Sequence, residues 1–480
     1  MVQIRYKQIV QMINLQILKF RLNRSGKKAI YIQIADEIIG CIKKGVLKAG
    51  ETLPGTRLIA TALNVNRNTV VQALDVLITE GWLISEERKK TYVSDKIHIS
   101  KAPDKKLGPI KNKEVYGQGL LFFDDGLPDT QSTPMVELAR AYRRIFSRKS
   151  RWQIMNLASE FGDEKFRETI SNMLNHNRGM QTFASEVCVT RGSQMALFLT
   201  AHCLLKRGDI VLVENPGYRP AWNTFKHAQA NLIPVPVDNE GIDVDLIEEI
   251  LLKQSVKAIY LTPHHQYPTT VTLSLTRRLK LIELSNRFGF TIIEDDYDNE
   301  YHFGQRPVMP ISSHEGIHNY VYIGTLSKLI APAIRIGYIV SSPQFIAAIG
   351  ELRKIIDLQG DTIMEQSILD LMQSGDIRRH QKRMLIYYQE KRDLFASLLD
   401  TYLNDKVTYS KPDGGLAFWV KPVEKIDLFK LQEKANLELV SFYTPDRFSF
   451  DNPICGFRIG YASLPETTIE KGLRTLGKLL

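Results

Sequence analysis

The sequence predicts an α/β protein in which a small helical unit precedes a large domain with a mostly parallel, buried sheet. Helical periodicity dominates residues 29–79, whereas from about residue 119 short apolar runs alternate with helical stretches. That alternation is typical of α/β domains, because each helix returns the chain to the start of the next parallel strand. The positive charge of the chain is concentrated in the first part, which separates the two parts chemically.

Size and composition indicate a soluble protein with several domains. The 480 residues suffice for two to four units of roughly 100–200 residues each. No apolar run approaches the ~20 residues that cross a bilayer. Arg5, Lys7 and Lys19 interrupt the apolar start of the chain, so we expect no secretory signal. The cysteines form no CxxC pair and suit the reducing cytoplasm; they are Cys41, Cys188, Cys203 and Cys455.

The charge distribution favours an N-terminal unit that binds nucleic acid. Residues 1–118 contain 21 Lys and Arg against 10 Asp and Glu, a formal charge of +11, whereas residues 119–480 contain 42 against 43. A basic module attached to a neutral domain is typical of a protein that binds nucleic acid through one end. Charge alone leaves a merely basic, solvated surface as an equal alternative.

Three helices are predicted in the first unit. The first covers residues 29–45, with one apolar stripe formed by Ile30, Ile34, Ile38 and Ile42. Two short helices, about Thr56–Leu63 and Arg67–Thr79, follow and are joined by a tight turn. This order matches a helix-turn-helix, in which the start of the second helix enters the major groove. The residues at that start are Asn66, Arg67, Asn68 and Thr69, and Asn66 is also placed to cap the helix.

A hairpin wing and a linker are predicted after these helices. The β-like runs WLIS and TYV flank EERKK, which places Arg88, Lys89 and Lys90 at the tip. A small helical unit without a role in DNA binding is the alternative interpretation. Residues 96–118 are polar and Lys-rich, so we predict a flexible linker, the alternative being an ordinary surface loop.

Over residues 29–94, the order of helix, LPGTR loop, helix, NVNRNTV helix and wing resembles the winged helix-turn-helix of the GntR family. The resemblance implies a domain over residues 25–95 that binds a double-stranded DNA operator through Arg57 and the tip of the recognition helix. The wing departs from the family, in which a small Gly-containing tip is common. Its Arg-Lys-Lys sequence preserves affinity for phosphate, with Lys89 and Lys90 as candidate contacts.

Polar residues follow the predicted strands of the large domain, where ligands of parallel sheets bind. Lys328 follows VYIGTL, and a lysine there can bond covalently to an aldehyde cofactor. Asp295 follows TIIE, and a buried carboxylate can keep a pyridine nitrogen protonated. Tyr297 can hydrogen-bond the phenolic oxygen of such a ring. Taken singly, a surface lysine and an acidic loop end are the plainer interpretations.

Other residues of the large domain are suited to bind an anion. Gly192, Ser193 and Gln194 lie at a predicted helix start, where backbone amides bind phosphate. Arg335, seven residues after Lys328, can bind phosphate through two parallel hydrogen bonds.

Two further residues and one pair of histidines have competing interpretations. Tyr218 in VENPGYRP can stack on a ring, although turn tyrosines more often pack. Arg458 in CGFRIGYA can bind a carboxylate, although a strand arginine is usually solvated or paired. His264 and His265 are adjacent and would point apart in an extended segment, so we expect no metal site.

In order, TRGSQMAL, ENPGY, LTPHHQYPT, IIEDDYD, GTLSKLIAPAIRIGY, PDGGLAFW and FRIGY resemble the motifs of fold-type I aminotransferases. The HQYPT and EDDYD variants are similar to those of the MocR/GabR subgroup of GntR regulators. The resemblance implies an aminotransferase-like domain over residues 119–480, with a smaller C-terminal α+β subdomain from about residue 370. It also implies pyridoxal 5′-phosphate (PLP) as cofactor.

The same resemblance implies roles for individual residues. Lys328 would bind PLP covalently, Asp295 would pair with the pyridine nitrogen, Tyr297 with the phenolic oxygen, Tyr218 would stack on the ring, and Arg458 would bind an effector's carboxylate. The phosphate cup would consist of Gly192, Ser193, Gln194, Thr325, Ser327 and Arg335. Thr270 stands where the family pattern has Gly, and His264 where a small residue is usual, so the sequence departs from the family at the local turn and the effector pocket.

We therefore expect a PLP-dependent transcription regulator that senses an amino compound or PLP itself. The resemblance implies a homodimer, with the DNA-binding domains swapped onto the partner in many members. One alternative is an active aminotransferase with an auxiliary DNA-binding domain. Another is a DNA-binding protein whose PLP site has decayed.

Overall fold

The structure is a computed structural model that describes residues 20, 22–24, 26, 28–85, 90–95, 119–147, 152, 155–304, 308–450 and 454–480. It divides into two units, Met1–Glu114 and Val115–Leu480. No helix in these ranges is long and apolar enough to cross a bilayer. Among the predicted features, Arg88, Lys89 and the linker 96–118 lie outside the described residues.

The described part of the first unit contains three helices followed by a short hairpin. Its helices are α1 (Ile30–Lys43), α2 (Thr56–Leu63) and α3 (Arg67–Thr79), and its strands are β1 (Leu83–Ser85) and β2 (Thr91–Val93). The two strands pair antiparallel, with Leu83 opposite Val93. The predicted helix-turn-helix and hairpin are confirmed, and α1 is slightly shorter than the predicted 29–45.

The apolar stripe of α1 forms the centre of this unit. Ile34, Ile38 and Ile42 are buried together with Val70 and Leu77 of α3, among others, whereas the stripe's first residue, Ile30, is half-buried. The stripe explains why α1 forms here, because most of a helix's stability in a protein comes from packing its apolar face.

Two asparagines define the turn between α2 and α3. Asn64 ends α2 with φ +52°, a left-handed conformation that asparagine tolerates better than most residues. The Asn66 side chain accepts a hydrogen bond from the Asn68 amide at 2.9 Å and so caps α3. The predicted cap is confirmed.

The second unit alternates strands and helices along the chain. Its strands are β3 (Leu121–Phe123), β4 (Val187–Thr190), β5 (Ile210–Asn215), β6 (Asn231–Asp238), β7 (Gly241–Ile242), β8 (Ala258–Leu261), β9 (Thr291–Asp296), β10 (Tyr320–Thr325), β11 (Gly337–Val340), β12 (Val407–Tyr409), β13 (Ala417–Pro422), β14 (Val440–Phe442) and β15 (Phe457–Gly460). Its helices are α4 (Met135–Ser147), α5 (Glu164–Arg178), α6 (Ser193–Leu204), α7 (Arg219–His227), α8 (Val244–Lys253), α9 (Leu275–Phe288), α10 (Pro343–Ile356), α11 (Thr362–Gln373), α12 (Asp376–Leu403), α13 (Leu428–Leu437) and α14 (Glu466–Leu479).

An eight-stranded sheet in the order β4-β11-β10-β9-β8-β5-β6-β7 forms the centre of this unit. The pairs from β10 through β6 are parallel, whereas β11 and β7 run antiparallel to their neighbours. Ile292 and Ile293, neighbours in β9, belong to different apolar cores. Both faces of the sheet are therefore covered, as the continuous apolar strands predict.

A smaller α+β region follows, with an antiparallel sheet in the order β12-β13-β15. A separate parallel pair joins β14 to β3, with Phe442 opposite Phe123. The start of the unit, Leu121 and Phe123, is consequently buried in the same core as Phe418 and Phe457. This pairing of distant segments has no counterpart in the local periodicity of the sequence.

Leu77→Ala should destabilise the first unit by about 2–5 kcal/mol, because it leaves a cavity where a fully buried side chain (0% exposed) stood. Hydrogen exchange of the intact protein should show lost protection in α1–α3 and unchanged protection in β8–β10. Leu58→Ala removes the same atoms from a side chain that is 54% exposed, and should change protection little. Equal effects of the two substitutions would contradict the packing described for α3.

Candidate functional site

The parallel strands β8, β9 and β10 end at one edge of the large sheet. Asp295 of β9 lies opposite Ile323 of β10, and Lys328 lies three residues beyond the end of β10. Because the carboxyl ends of parallel strands meet at one edge, the two predicted ligands of the cofactor are brought to the same place.

Lys328 is half-buried, in the turn that follows β10. Its Nζ donates a hydrogen bond to the carbonyl of Gly126 and lies 5.9 Å from the centre of the Tyr297 ring. Burial lowers the pKa of the Lys328 amine, although Asp125 and Asp298 act in the opposite direction. A lower pKa leaves more of the amine unprotonated, which favours attack on an aldehyde.

Asp295 is buried and has one oxygen without a partner. Tyr260 Oη donates to Oδ2 at 2.9 Å, whereas no group of the described residues donates to Oδ1. Burial raises the pKa of Asp295 to about 7. An unpartnered buried acceptor costs about 1–3 kcal/mol, so the vacant side of this carboxyl suits a donor such as a protonated pyridine nitrogen.

A cradle for an anion lies at the start of α6. Gly192 precedes the helix with φ +81°, and a Cβ there would come within 2.6 Å of Arg335 Nη2. Arg335 donates to the Arg191 carbonyl at 3.0 Å. Ser327 Oγ is buried and has no partner among the described residues. A guanidinium, a free hydroxyl and a helix N-terminus together fit a phosphate group.

The other predicted cup residues have further contacts. Thr325 Oγ1 donates to the Ile336 carbonyl at 3.0 Å and accepts from the Ser327 amide at 3.2 Å, so it shapes the turn that presents Ser327. Gln194 Nε2 donates to Thr224 Oγ1 at 2.9 Å and thereby joins α6 to α7. Ser193 is the first residue of α6. Direct contact of these side chains with phosphate stays a prediction.

Tyrosines form one side of the site. The rings of Tyr218 and Tyr267 meet edge to face, with their centres 5.1 Å apart. Tyr267 Oη donates to Asp125 Oδ2 at 2.8 Å, and Tyr297 Oη donates to the His265 carbonyl at 3.0 Å. Hydrogen bonds therefore hold the rings of Tyr267 and Tyr297, and Tyr218 packs against Tyr267.

Arg458 is buried on β15 and reaches the same site. Its Nε donates to the Asp125 carbonyl at 2.7 Å and its Nη1 to the Pro268 carbonyl at 2.8 Å. Its Nη2 lies 3.3 Å from Tyr297 Oη. The structure thus brings Lys328, Asp295, Tyr297 and Arg458 together from separate strands and loops.

Asp125 and Tyr260 also belong to this site and were not predicted from the sequence. Burial alone would raise the pKa of Asp125, but Lys328, the Tyr267 hydroxyl and nearby arginines lower it on balance, so Asp125 is an anion beside the lysine. A DDG sequence after a strand was its only signal, about 200 residues before the lysine. Tyr260 lies inside β8, where a tyrosine resembles any core residue.

The two departures from the family motif have different outcomes. Thr270 adopts φ +65°, a conformation suited to glycine, and its amide donates to the Gln266 carbonyl at 2.7 Å, so the turn forms despite backbone strain. The side chain of His264 contacts Asp296, with 3.1 Å between Nδ1 and Oδ1, and so lies on the side of the sheet where Asp296 lies. Neighbouring residues of a strand point to opposite faces, so Asp296 and Asp295 lie on different sides of the sheet.

The predicted DNA contacts lie on the surface of the first unit. Asn66, Arg67 and Asn68 are exposed at the start of α3, and Thr69 is half-buried. Arg57 on α2 and Lys90 before β2 are also exposed, whereas Lys89 lies outside the described residues. This arrangement is what a recognition helix requires.

Both units match known protein families. Residues 30–93 match the model of bacterial regulatory proteins of the gntR family, and residues 127–476 match the model of aminotransferase class I and II. The chain is 28% identical to a probable rhizopine catabolism regulatory protein, MocR, of Rhizobium meliloti, over 95% of this chain and 94% of the relative. It is also 28% identical to aromatic-amino-acid aminotransferase 1 of Thermococcus litoralis, over 74% of this chain and 86% of the relative.

A solved structure shares the fold of the second unit. LysN, an α-aminoadipate aminotransferase from Thermus thermophilus complexed with N-(5′-phosphopyridoxyl)-L-leucine, is 27% identical, with a TM-score of 0.70 over 76% of this chain and 92% of that chain. Fold and site therefore define a PLP-dependent, aminotransferase-like domain joined to a DNA-binding winged helix-turn-helix. The chain belongs to the aminotransferase class I and II family and is a transcription regulator of the MocR type.

Gly192→Ala should weaken PLP binding by about 1.5–3 kcal/mol, because the added methyl would displace Arg335 and remove a charge-assisted hydrogen bond to phosphate. The affinity is measured by titrating the protein with PLP and following visible absorbance. Gly289→Ala is the matched control, since Gly289 has φ +75° and an added methyl there would meet no described atom within 4 Å. Unchanged affinity in Gly192→Ala, or an equal loss in both variants, would contradict the assigned cup.

Proposed function

We propose that the regulator senses a small amino compound, or PLP itself, at the site around Lys328 and transmits its occupancy to the DNA-binding unit. The observation that carries this proposal is the presence of both functions in one chain. An exposed recognition helix and a site with a half-buried lysine and a buried carboxylate occur together, and the MocR relative aligns with 95% of the chain.

PLP supplies an aldehyde that amines attack and a ring that accepts electrons. Lys328 would hold the aldehyde carbon, Asp295 the pyridine nitrogen and Tyr297 the phenolic oxygen. Tyr218 would lie against the ring. The phosphate would be held by Gly192, Ser193, Gln194, Thr325, Ser327 and Arg335. The unpartnered Asp295 Oδ1 and Ser327 Oγ support these two assignments.

Arg458 would bind the carboxylate of an effector that also carries an amine. The effector's nitrogen would replace the Lys328 nitrogen on the aldehyde carbon, and Lys328 would be released as a free amine. An effector shifts a conformational equilibrium only by its different affinity for the two states. Release of Lys328, together with contact to Arg458, supplies such a difference, because Arg458 also holds the Asp125 and Pro268 segments.

We propose that the regulator acts in the cytoplasm as a homodimer, possessing two DNA-binding units for two half-sites. A twofold arrangement would match a palindromic operator, since dimeric helix-turn-helix proteins bind half-sites about one helical turn apart. Arg57, Asn66, Arg67, Asn68, Thr69, Lys89 and Lys90 would contact the DNA.

An active aminotransferase is the second candidate function. The lowered pKa of Lys328 favours it, because an unprotonated amine can move a proton on a bound amino acid. The unpartnered oxygen of Asp295 also suits the pyridine nitrogen through which PLP accepts electrons. Kinetics with an amino donor and a keto acid distinguish the two functions. Fast multiple turnover without sequence-specific DNA binding would favour the enzyme.

Lys328→Ala should abolish the visible absorbance of covalently bound PLP and leave the fold intact, because only the bonding amine is removed. Footprinting upstream of the regulator's own gene, with and without PLP and candidate amines, should then show DNA contacts that no longer respond to these compounds. Lys253→Ala removes an exposed lysine of α8 and should behave as wild type. A footprint that still responds in Lys328→Ala would contradict sensing through this lysine.

Arg67→Ala should weaken binding to the specific operator by about 1–3 kcal/mol if the guanidinium contacts a base. Binding to unrelated DNA should change less, because a base contact discriminates between sequences and a phosphate contact does not. Lys44→Ala removes one exposed charge at the end of α1 in the same unit. If both variants lost equal affinity for every sequence, Arg67 would contribute only charge.

A further inference from the structure

A buried polar cluster lies at the end of β9, on the side of the sheet away from Asp295. Its centre is Asp296, which is 1% exposed. Arg178 Nη2 donates to Asp296 Oδ2, Tyr322 Oη donates to the same oxygen at 2.6 Å, and His264 Nδ1 lies 3.1 Å from Oδ1. The partners come from the end of α5, from β10 and from the segment after β8, so one carboxylate joins four parts of the fold.

Asp296 is held as an anion. Burial alone would raise its pKa, but Arg178 and His264 lower it on balance. Burial raises the pKa of the neighbouring Glu300 to about 8, which leaves Glu300 mostly uncharged at pH 7. The positive charge of Arg178 therefore depends on Asp296 for its counter-charge within the cluster.

A buried ion pair contributes little net free energy to holding a strand in place. Desolvation of the two charges often cancels their attraction, and apolar residues of similar volume can give equal or greater stability. Such a cluster instead fixes the position of the carboxylate, because each hydrogen bond restricts where the carboxylate can lie. The strand end that it restricts carries Asp295 on one side of Asp296 and Tyr297 on the other.

We propose that Asp296 is a positioning residue for the cofactor site. Held by Arg178, His264 and Tyr322, it fixes the end of β9 so that Asp295 Oδ1 and the Tyr297 ring keep their places around bound PLP. The inference rests on PLP binding at the site described above. It also gives a role to His264, whose position in the family motif is usually occupied by a small residue.

The strand offers a matched control in Glu294. This residue is two positions before Asp296 and thus on the same face of the sheet, and it is also fully buried. Its carboxylate accepts hydrogen bonds from the Ile311 and Ser312 amides at 2.9 Å each. Glu294 therefore anchors a different loop, and a merely structural role of β9 would make Glu294 and Asp296 equivalent for PLP.

The test compares Asp296→Asn with Glu294→Gln in the full-length protein. We measure the melting temperature, the PLP affinity, the visible circular dichroism of bound PLP and, without PLP, hydrogen exchange of residues 295–301. Both substitutions should lower the melting temperature. Only Asp296→Asn should weaken PLP binding, by about tenfold or more, and change the dichroism and the exchange, because it leaves Arg178 without its counter-charge.

Further variants keep the test decisive. If Asp296→Asn does not fold, His264→Ser removes one partner and leaves Arg178 and Tyr322, and it should produce a smaller change of the same kind. PLP affinity and dichroism that remain at wild-type values in the folded variant would overturn the inference, as would an equal change in Glu294→Gln. If the wild-type protein itself binds no PLP, the proposed function fails instead.

Discussion

The parallel hydrogen-bond ladder that joins β8, β9 and β10 determines where the charged groups of the large domain stand. Register between β9 and β10 places Asp295 opposite Ile323, close to the turn that carries Lys328. Since neighbouring residues of a strand point to opposite faces, the same ladder sends Asp296 to the other side. A slip of one residue would exchange the two carboxylates between the cofactor side and the Arg178 side, and both sites would be lost together.

The adjacent carboxyl groups Asp295 and Asp296 have different surroundings on the two faces of the sheet. On the Arg178 side, Asp296 has three partners and is held as an anion. On the cofactor side, Asp295 has a donor for one oxygen only and a pKa raised to about 7. A carboxylate paired with a guanidinium holds the strand, whereas one that accepts only from a neutral hydroxyl among the described residues retains capacity to bind a ligand. This contrast between adjacent residues is the physical signature of a ligand site supported by a second layer of contacts.

The two units differ in the property that each contributes to a ligand-responsive regulator. The first unit carries the excess positive charge and presents an exposed recognition helix, whereas the second is nearly neutral and buries its reactive groups. Long-range attraction to DNA and selective binding of a small molecule have opposite requirements, because the former needs solvent-exposed charge and the latter needs exclusion of water. Separate units satisfy both requirements within one chain.

Local features of this protein follow from the sequence alone. The bounds of α2 and α3 and the Asn66 cap depend on interactions between residues a few positions apart, and these were predicted correctly. Lys328 and Asp295 could be selected because strand, strand end and polar residue succeed one another along the chain.

Only the tertiary structure decided which distant groups meet. The Lys328 contact to Gly126 spans 202 residues, the Arg178 contact to Asp296 spans 118, and the pairing of β3 with β14 joins the two ends of the second unit. Strand order and the antiparallel insertion of β11 set these contacts, and neither leaves a periodic signal in the sequence. Periodicity reports which face of an element is buried, whereas the identity of the neighbour across that face depends on the packing of the whole domain.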